Sequence, residues 1–413
     1  MTKFVKYLPE HGWIPTVVCA EGSNVVRDAS LLEDVPPSVA VHRITDPLPS
    51  SSRSNLQRIW DRLTLRPDPS IPWAQKALRF VQERINLDEF DLVFTTDPPS
   101  AHWVGSCLRS ERLPWVMDVR DLWTLAFTYR PASFFHSRID TAFERGLLEQ
   151  TDAVVCATKG YPKEYLRAYP ALEAAKFVTI PNGYDEDDFI HREPAPSDVF
   201  WMTYVGALFD FEVRPRPKGW LSLFEPLASG GDPVMVRTPQ SILEAAKKVL
   251  QDHPELRGTL RLRFVGTFPE KYLPLLKVYG LDEHVVIDGY VDHGQAVQAM
   301  LDADILFLMQ DGPGSQVVVP GKLFEYLRSG TPIVGLFPEG LSPEIIRKSG
   351  CGIVVHPLDI DALAVTMYER YRIWERGETG IHPDWTYVHK YERRKQAGQL
   401  ADVFNAVILQ HHR

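Results

Sequence analysis

The chain has 413 residues, 44% of them apolar and 24% charged, an ordinary balance for a soluble globular protein with room for two full hydrophobic cores. Against 54 Asp and Glu it carries 45 Lys and Arg, and the net charge of −9 argues against a general nucleic-acid binder. There is no apolar run of bilayer length and no signal-peptide h-region, and Cys19, Cys107, Cys156 and Cys351 are scattered without a CxxC pair. They read as small core residues in a reducing compartment, so a cytoplasmic protein is expected.

The first half of the chain alternates short apolar runs with helical patterns. Strands are predicted at Thr16–Ala20, Asp91–Thr95, Trp115–Asp118, Ala153–Ala157 and Phe177–Ile180. Helices are predicted at Thr2–Pro9, Trp73–Ile85, Ser100–Glu111, Arg138–Gln150 and Lys163–Tyr169. The second half repeats the style. Its strands are expected at Trp201–Val205, Arg261–Val265, Val285–Asp288, Ile305–Leu308, Pro332–Gly335 and Cys351–Val355. Its helices are expected near Pro239–Gln251, Pro269–Tyr279, His293–Ala303, Lys322–Ser329, Pro343–Ser349 and Asp359–Arg372. Alternation of helices with fully apolar strands implies parallel sheets covered on both faces.

The Pro-rich stretch Glu193–Asp198 then divides the chain into two doubly wound α/β domains, residues 1–192 and 199–375, with a helical segment 376–413 closing the chain. In such sheets ligands sit beyond the carboxyl ends of the strands, and a two-domain version places its site in the cleft between them. Two features depart from the pattern. The chain opens on a helix where such a domain normally has a strand and a glycine-rich turn, which suggests an incomplete frame or an impaired site. The Pro/Gly-rich stretch Phe209–Val236 is far longer than connections of its kind and reads as a functional lid or a mobile excursion.

The most informative window is Pro320-Gly321-Lys322-Leu323-Phe324-Glu325, continuing to Gly330-Thr331-Pro332. Pro320 and Gly321 break the chain before a good helix former, and Gly330 and Pro332 stop it. Lys322 and Glu325 fall in the first turn, on one side, beside the free N–H groups of the helix start. That suits a phosphorylated, hydroxyl-bearing ligand, with Lys322 on phosphate and Glu325 on two sugar hydroxyls. A plain surface ion pair is the competing reading.

Four stretches together resemble a known family: Thr95 through His102, Pro114 through Trp123, Ile180-Pro181-Asn182-Gly183-Tyr184-Asp185, and Val318 through Gly330. Their order and spacing look like those of nucleotide-sugar-dependent glycosyltransferases of the GT-B fold, in the large retaining family 4 and its relatives. The resemblance implies two Rossmann-like domains, a nucleoside-diphosphate sugar as donor, no cofactor, and a glycan or lipid-linked acceptor in polysaccharide or glycoconjugate synthesis. It implies that Glu325 binds the ribose. Lys322 and Arg237 would hold the diphosphate, with Gly321 and Leu323 at the same helix start. Gly206 would let the backbone approach the phosphates, Gly266 would border the base, and Asp288-Gly289-Tyr290-Val291 would line it. His102 would face the transferred sugar, Asp118 or Asp121 would contact an acceptor hydroxyl, and Arg120 and Trp123 would wall the acceptor pocket. Arg120 between two acids reads equally as an internal salt-bridge network.

The family pattern is not fully met. Many relatives carry a second glutamate eight residues before the ribose-binding one, where this chain has Val317, so sugar contacts there fall to backbone groups, Asp311 or Ser315. Asn182 reads as a plain turn residue and Asp185–Asp188 as a solvated loop without metal-ligand spacing, and no divalent metal is indicated. The segment 53–84 holds seven Lys and Arg, three acids, Trp60, Trp73 and Phe80. It suggests peripheral contact with the inner face of a membrane, against the plainer reading of a helix pair with a solvated face. A sugar-nucleotide epimerase on the same scaffold and a non-catalytic binding protein are the alternatives to a transferase.

Overall fold

The structure, a computed structural model, describes residues 2–21, 30–46, 66–129, 131, 133–190, 195, 197–208, 237–312 and 314–411. The stretch 209–236, read from sequence as a lid or excursion, lies outside them, as do residues 53–65 with Trp60. The described residues fall into two compact units. Those within 2–181 and 394–411 make the first, and those within 182–208 and 237–393 the second.

The first unit is built on strands β1 (Thr16–Glu21) and β2 (Ala40–Thr45), which pair with each other in parallel, and on β3 (Val93–Thr96), β4 (Trp115–Val119), β5 (Ala153–Cys156) and β6 (Phe177–Thr179), which form a parallel sheet in that order. β2 is absent from the sequence-based expectation. Its half-exposed alternation Ala-Val-His-Arg-Ile-Thr is too short and too polar to read as one of the buried parallel strands found elsewhere. The helices α1 (Thr2–Tyr7), α2 (Ser30–Glu33), α3 (Ile71–Arg84), α4 (Pro99–Leu108), α5 (Phe134–Gln150) and α6 (Gly160–Ala168) precede or follow these strands.

One core of this unit gathers Phe4, Tyr7 and Leu8 from the first turns with Val116 and Val155 of the sheet, Ile180 just after β6, and Leu400, Phe404 and Val407 of the last helix. A second gathers Trp73, Ala74 and Ala77 of α3 with Val104 of α4 and with Val18 and Ile44 of β1 and β2. Trp73 is thus a core residue and the Phe80 ring lies 5.2 Å from that of His42, tilted by 49°, so these two aromatics of the 53–84 segment serve packing. Thiols meet mixed fates. Cys156 and Cys351 are buried as expected, whereas Cys107 is exposed, because it falls on the outer side of α4 near its end.

The second unit holds β7 (Phe200–Val205), β8 (Leu260–Val265), β9 (Val285–Gly289), β10 (Ile305–Met309), β11 (Ile333–Leu336) and β12 (Gly352–Val355), all parallel. Their spatial order is β9-β8-β7-β10-β11-β12. That is the doubly wound dinucleotide-fold order, with its reversal between β7 and β10. One face is packed by α7 (Gln240–Asp252), α8 (Leu273–Tyr279) and, later in the chain, α12 (Ile360–Trp374). The other is packed by α9 (His293–Leu301), α10 (Lys322–Ser329) and α11 (Leu341–Ser349). The edge strand β9 departs from the expectation of full cover, since Val286 and Ile287 are exposed. The chain then runs through α13 (Trp385–Val388) into α14 (Arg393–His411), whose residues from Arg394 on belong to the first unit. Among the described residues no helix is long and apolar enough to cross a membrane.

Candidate active site

In the second unit the carboxyl ends of the strands carry a consistent set of groups. Gly206 follows β7 and Gly266 follows β8. Gly206 N–H donates to Val265 O at 2.8 Å and Gly266 N–H to Gly289 O at 2.7 Å. At Gly266 φ is +119°, and a Cβ there would stand 2.2 Å from Gly206 O. Glycine is therefore required at 266 by the neighbouring strand end itself, before any ligand is considered.

At the reversal between β7 and β10, Gln310 follows β10 and is fully buried, and Arg237 Nη2 donates to its Oε1 at 3.3 Å. Arg237, displaced in sequence by the 209–236 stretch, is thus brought back to the strand ends. Gln310 has no sequence motif to announce it. Its partner is 73 residues away, a pairing that only the fold supplies. Ser315 sits in the short 3-10 turn Ser315–Val317, entered through Gly314 at φ +77°. Ser315 Oγ and Gln310 Nε2 are buried, and neither has a hydrogen-bond partner among the described residues.

Lys322 and Glu325 start α10, their charged ends 2.8 Å apart, so the ion-pair geometry is present. Leu323 points into the core, and its N–H is already given to Pro320 O at 3.0 Å. Gly321 and Lys322 supply the N–H groups before it at the helix start. His293 opens α9 and bonds Asp188 Oδ2 at 2.9 Å. That bond raises the imidazole pKa above 6.5. Burial opposes the shift, and the charge of Glu325 adds to it while that of Lys322 opposes it.

The run Asp185–Asp188 is consequently not the solvated loop expected from sequence. Asp185 is buried and caps the turn Glu186–Asp188 through Asp187 N–H. Glu186 accepts from Arg328 Nε at 2.6 Å, which holds its carboxyl below the usual range, and Asp188 serves His293. Asn182 likewise is more than a turn residue, because its Oδ1 accepts from Arg393 Nη2 at 3.3 Å.

In the first unit the groups beyond β3 and β4 form one connected network. Trp115 Nε1–H donates to Thr95 Oγ1 at 2.8 Å, and Thr95 Oγ1 lies 2.9 Å from His102 Nδ1. His102 Nε2 faces Asp97 Oδ1 at 3.4 Å. The other oxygen of Asp97 accepts the backbone N–H groups of Arg120 at 2.9 Å and Asp121 at 3.1 Å. Asp97 therefore links the imidazole to the loop after β4. It lies inside the resembling stretch Thr95–His102, but its partners stand 23 and 24 residues on, beyond any local pattern.

Asp118 is fully buried. It accepts from Thr96 Oγ1 at 3.0 Å and Arg120 Nε at 2.8 Å, with Arg120 Nη2 2.5 Å from its second oxygen. Arg120 Nη1 also donates to Ile180 O at 3.1 Å. Here the internal salt-bridge reading of Arg120 matches what the structure holds. His102 is only 3% exposed, whereas Asp121 is exposed at the surface of the same loop. Trp123 packs edge-on against Tyr129 and Phe143 at 6.5 and 6.2 Å. Its neighbour Thr124 donates through both N–H and Oγ1 to the buried Glu144, which Tyr169 also bonds at 2.9 Å.

Two family models match the chain, one described as Glycosyl transferase 4-like domain over residues 1–183 and one as Glycosyl transferases group 1 over residues 236–372. The chain belongs to this glycosyltransferase family. No curated protein matches it by sequence. Solved structures share its fold at low identity. HepE from Anabaena, solved in complex with UDP, aligns over 95% of this chain and 100% of its own, with 14% identity and a TM-score of 0.60. Sucrose-phosphate synthase from Thermosynechococcus elongatus aligns over 99% and 90%, with 18% identity and a TM-score of 0.57. A glycosyltransferase from Rickettsia africae aligns over 98% and 93%, with 13% identity and a TM-score of 0.59. The two Rossmann-like sheets read from sequence are thus those of a GT-B glycosyltransferase.

Proposed function

We propose that this transferase moves a sugar from a nucleoside-diphosphate sugar to a glycan or lipid-linked acceptor, with retention at the anomeric carbon. The observation that carries the reading is the first turn of α10, where Lys322 and Glu325 stand side by side at a helix start in a dinucleotide-fold sheet. On donor binding, Lys322 turns to the diphosphate and Glu325 accepts from the two ribose hydroxyls. Arg237, held at the sheet reversal by Gln310, supplies the second positive charge. The buried Oγ of Ser315 and amide of Gln310 are polar groups that a bound sugar nucleotide would satisfy. The uridine base of the ligand in the HepE complex makes UDP the first nucleotide to test.

The chemistry asked of the chain is modest. A nucleoside diphosphate is a good leaving group, so catalysis is charge neutralisation at the phosphates and placement of the acceptor. In the first unit we assign Asp121, exposed on the loop after β4, to the acceptor hydroxyl. Asp118 and Arg120 hold that loop through their salt bridge. His102 acts through Asp97, which fixes the loop backbone, and is a positioning residue. Trp123 backs the same surface.

Calorimetric titration with UDP tests the donor half of this reading. Glu325→Ala should lose most of the affinity while keeping the fold, since it removes one partner of a single i,i+3 pair and no core contact. Unchanged UDP affinity in that variant contradicts it.

A further inference from the structure

Beside the network just described, the first unit contains a cavity of about 230 Å³ lined by Arg66, Pro67, Ile71, Trp103, Ile139 and Phe143, with Asp140 and Gln75 completing its wall. Its lining is mostly apolar with one guanidinium. Arg66 Nη1 donates to Asp140 Oδ2 at 2.7 Å, and Tyr129 OH donates to the same oxygen at 2.5 Å. The remaining edge of the guanidinium, Nε and Nη2, is buried, and neither nitrogen has a hydrogen-bond partner among the described residues. Those two N–H groups point the same way in a fixed fork. That is the edge with which arginine binds a carboxylate or phosphate by two parallel bonds. Left unsatisfied, a buried donor costs free energy, so a fork of this kind asks for an oxyanion.

The apolar wall does not stop at the cavity. Ile139 lines it and is also 57% exposed. Phe135 lies one helical turn before Ile139, on the same face of α5, and is 75% exposed. An apolar track therefore leads from the cavity to the surface. On its inner side the cavity is tied to the acceptor loop. Trp103 follows His102 in α4, and Phe143 packs against Trp123. Tyr129, which holds Asp140, also packs against Trp123. Burial pushes the Asp140 carboxyl up, against the pull of Tyr129 and Arg66.

We propose that this cavity is the subsite that anchors the acceptor, and that it takes a phosphate oxyanion carried on an apolar body. Arg66 binds two phosphate oxygens, Ile71, Trp103 and Phe143 enclose the first carbons, and the rest of the chain lies over Ile139 and Phe135. The volume falls below the ~300 Å³ at which pockets for whole drug-sized ligands begin, which suits a headgroup with a few carbons and an exit for the remainder. The proposal rests on reading the first unit as the acceptor side.

The test is calorimetry on the full chain with monomeric octyl phosphate, set against inorganic phosphate, glucose 1-phosphate and octanol. Octyl phosphate should bind saturably and at least about tenfold more tightly than any of the other three, since each lacks the oxyanion or the apolar body. Arg66→Lys keeps the charge beside Asp140 but loses the fork, and Ile139→Glu places a negative charge at an exposed position on the track. Each should weaken octyl phosphate at least about tenfold while the cooperative melting transition persists. Binding no tighter than that of inorganic phosphate or glucose 1-phosphate overturns the proposal, as does equal binding by folded Ile139→Glu. Should Arg66→Lys fail to fold, Ile139→Glu decides alone. UDP titration of the same samples is read separately. Lost UDP binding in the unaltered chain speaks against the donor assignment, while the octyl phosphate result decides this site.

Discussion

Lys322 Nζ and Glu325 Oε2 stand 2.8 Å apart across the first turn of α10, each the other's partner while both are assigned to different parts of one donor. The Lys322 end is partly exposed while Glu325 Oε2 is buried, and an i,i+3 pair on a helix adds only ~0.2–0.5 kcal/mol to stability. A hydrogen bond to a charged group at a bound ligand is worth ~1.5–3 kcal/mol, about 10- to 150-fold in affinity. Lys322→Ala should therefore weaken UDP by that factor with a melting temperature nearly unchanged, measured by titration and thermal denaturation on the same sample. A large loss of stability with unchanged affinity would return the pair to a surface role.

Gly266 should tolerate no side chain. Its φ is +119° and an added Cβ would stand 2.2 Å from Gly206 O, a backbone atom that cannot swing aside. Gly266→Ala is expected to cost about 1–3 kcal/mol from backbone strain, and more from the clash, read as a lowered urea midpoint. Donor affinity should fall with it, because Gly206 moves too.

Gly105 guards the other site. A Cβ there would stand 2.2 Å from Trp115 Nε1, the atom that donates to Thr95, which in turn contacts His102. Gly105→Ala should push α4 off the sheet and lower turnover. UDP affinity should stay as it was, because the change lies in the first unit. Loss of UDP binding in a folded Gly105→Ala sample would contradict this division of labour.

Glu144 gives a pH signature of unusual sign. It is buried beneath the acceptor loop, and burial, opposed by the Thr124, Tyr169 and Tyr165 hydroxyls, raises its carboxyl above 4.5. The folded state thus holds this proton more tightly than the unfolded chain does. The stability it contributes is fully present below the unfolded value and is lost as pH rises through the folded one. Glu144→Gln has no such loss. The stability of the unaltered chain relative to Glu144→Gln should fall as pH rises above 4.5, measured by urea denaturation of both across pH 4 to 8. A difference independent of pH contradicts the shift.

What the sequence made legible was whatever is local. The helix of Lys322 and Glu325 is bounded by Pro320, Gly321, Gly330 and Pro332, all within the window, and the buried parallel strands are continuous apolar runs. What it hid was long-range pairing. Asp97 reaches the backbone of Arg120 and Asp121, Gln310 meets Arg237, and Arg66 meets Asp140 74 residues away. No spacing rule announces such pairs. β2 escaped for another reason, since its half-exposed alternation carries little apolar signal. Asp185–Asp188 reads as a charge run until Arg328 and His293 are folded against it.

Whether α10 holds the donor is decided by a thermal-shift titration of the full chain with UDP, GDP, ADP and dTDP. A ligand that binds only the folded state stabilises it by about 2.7 kcal/mol at a hundredfold excess over Kd, which moves the melting temperature by roughly 5–10 °C. One nucleotide should give a saturable rise of that size, abolished in Glu325→Ala. A cooperatively folded chain whose melting temperature moves with none of the four, or moves equally in Glu325→Ala, would contradict the assignment of α10 as the donor site.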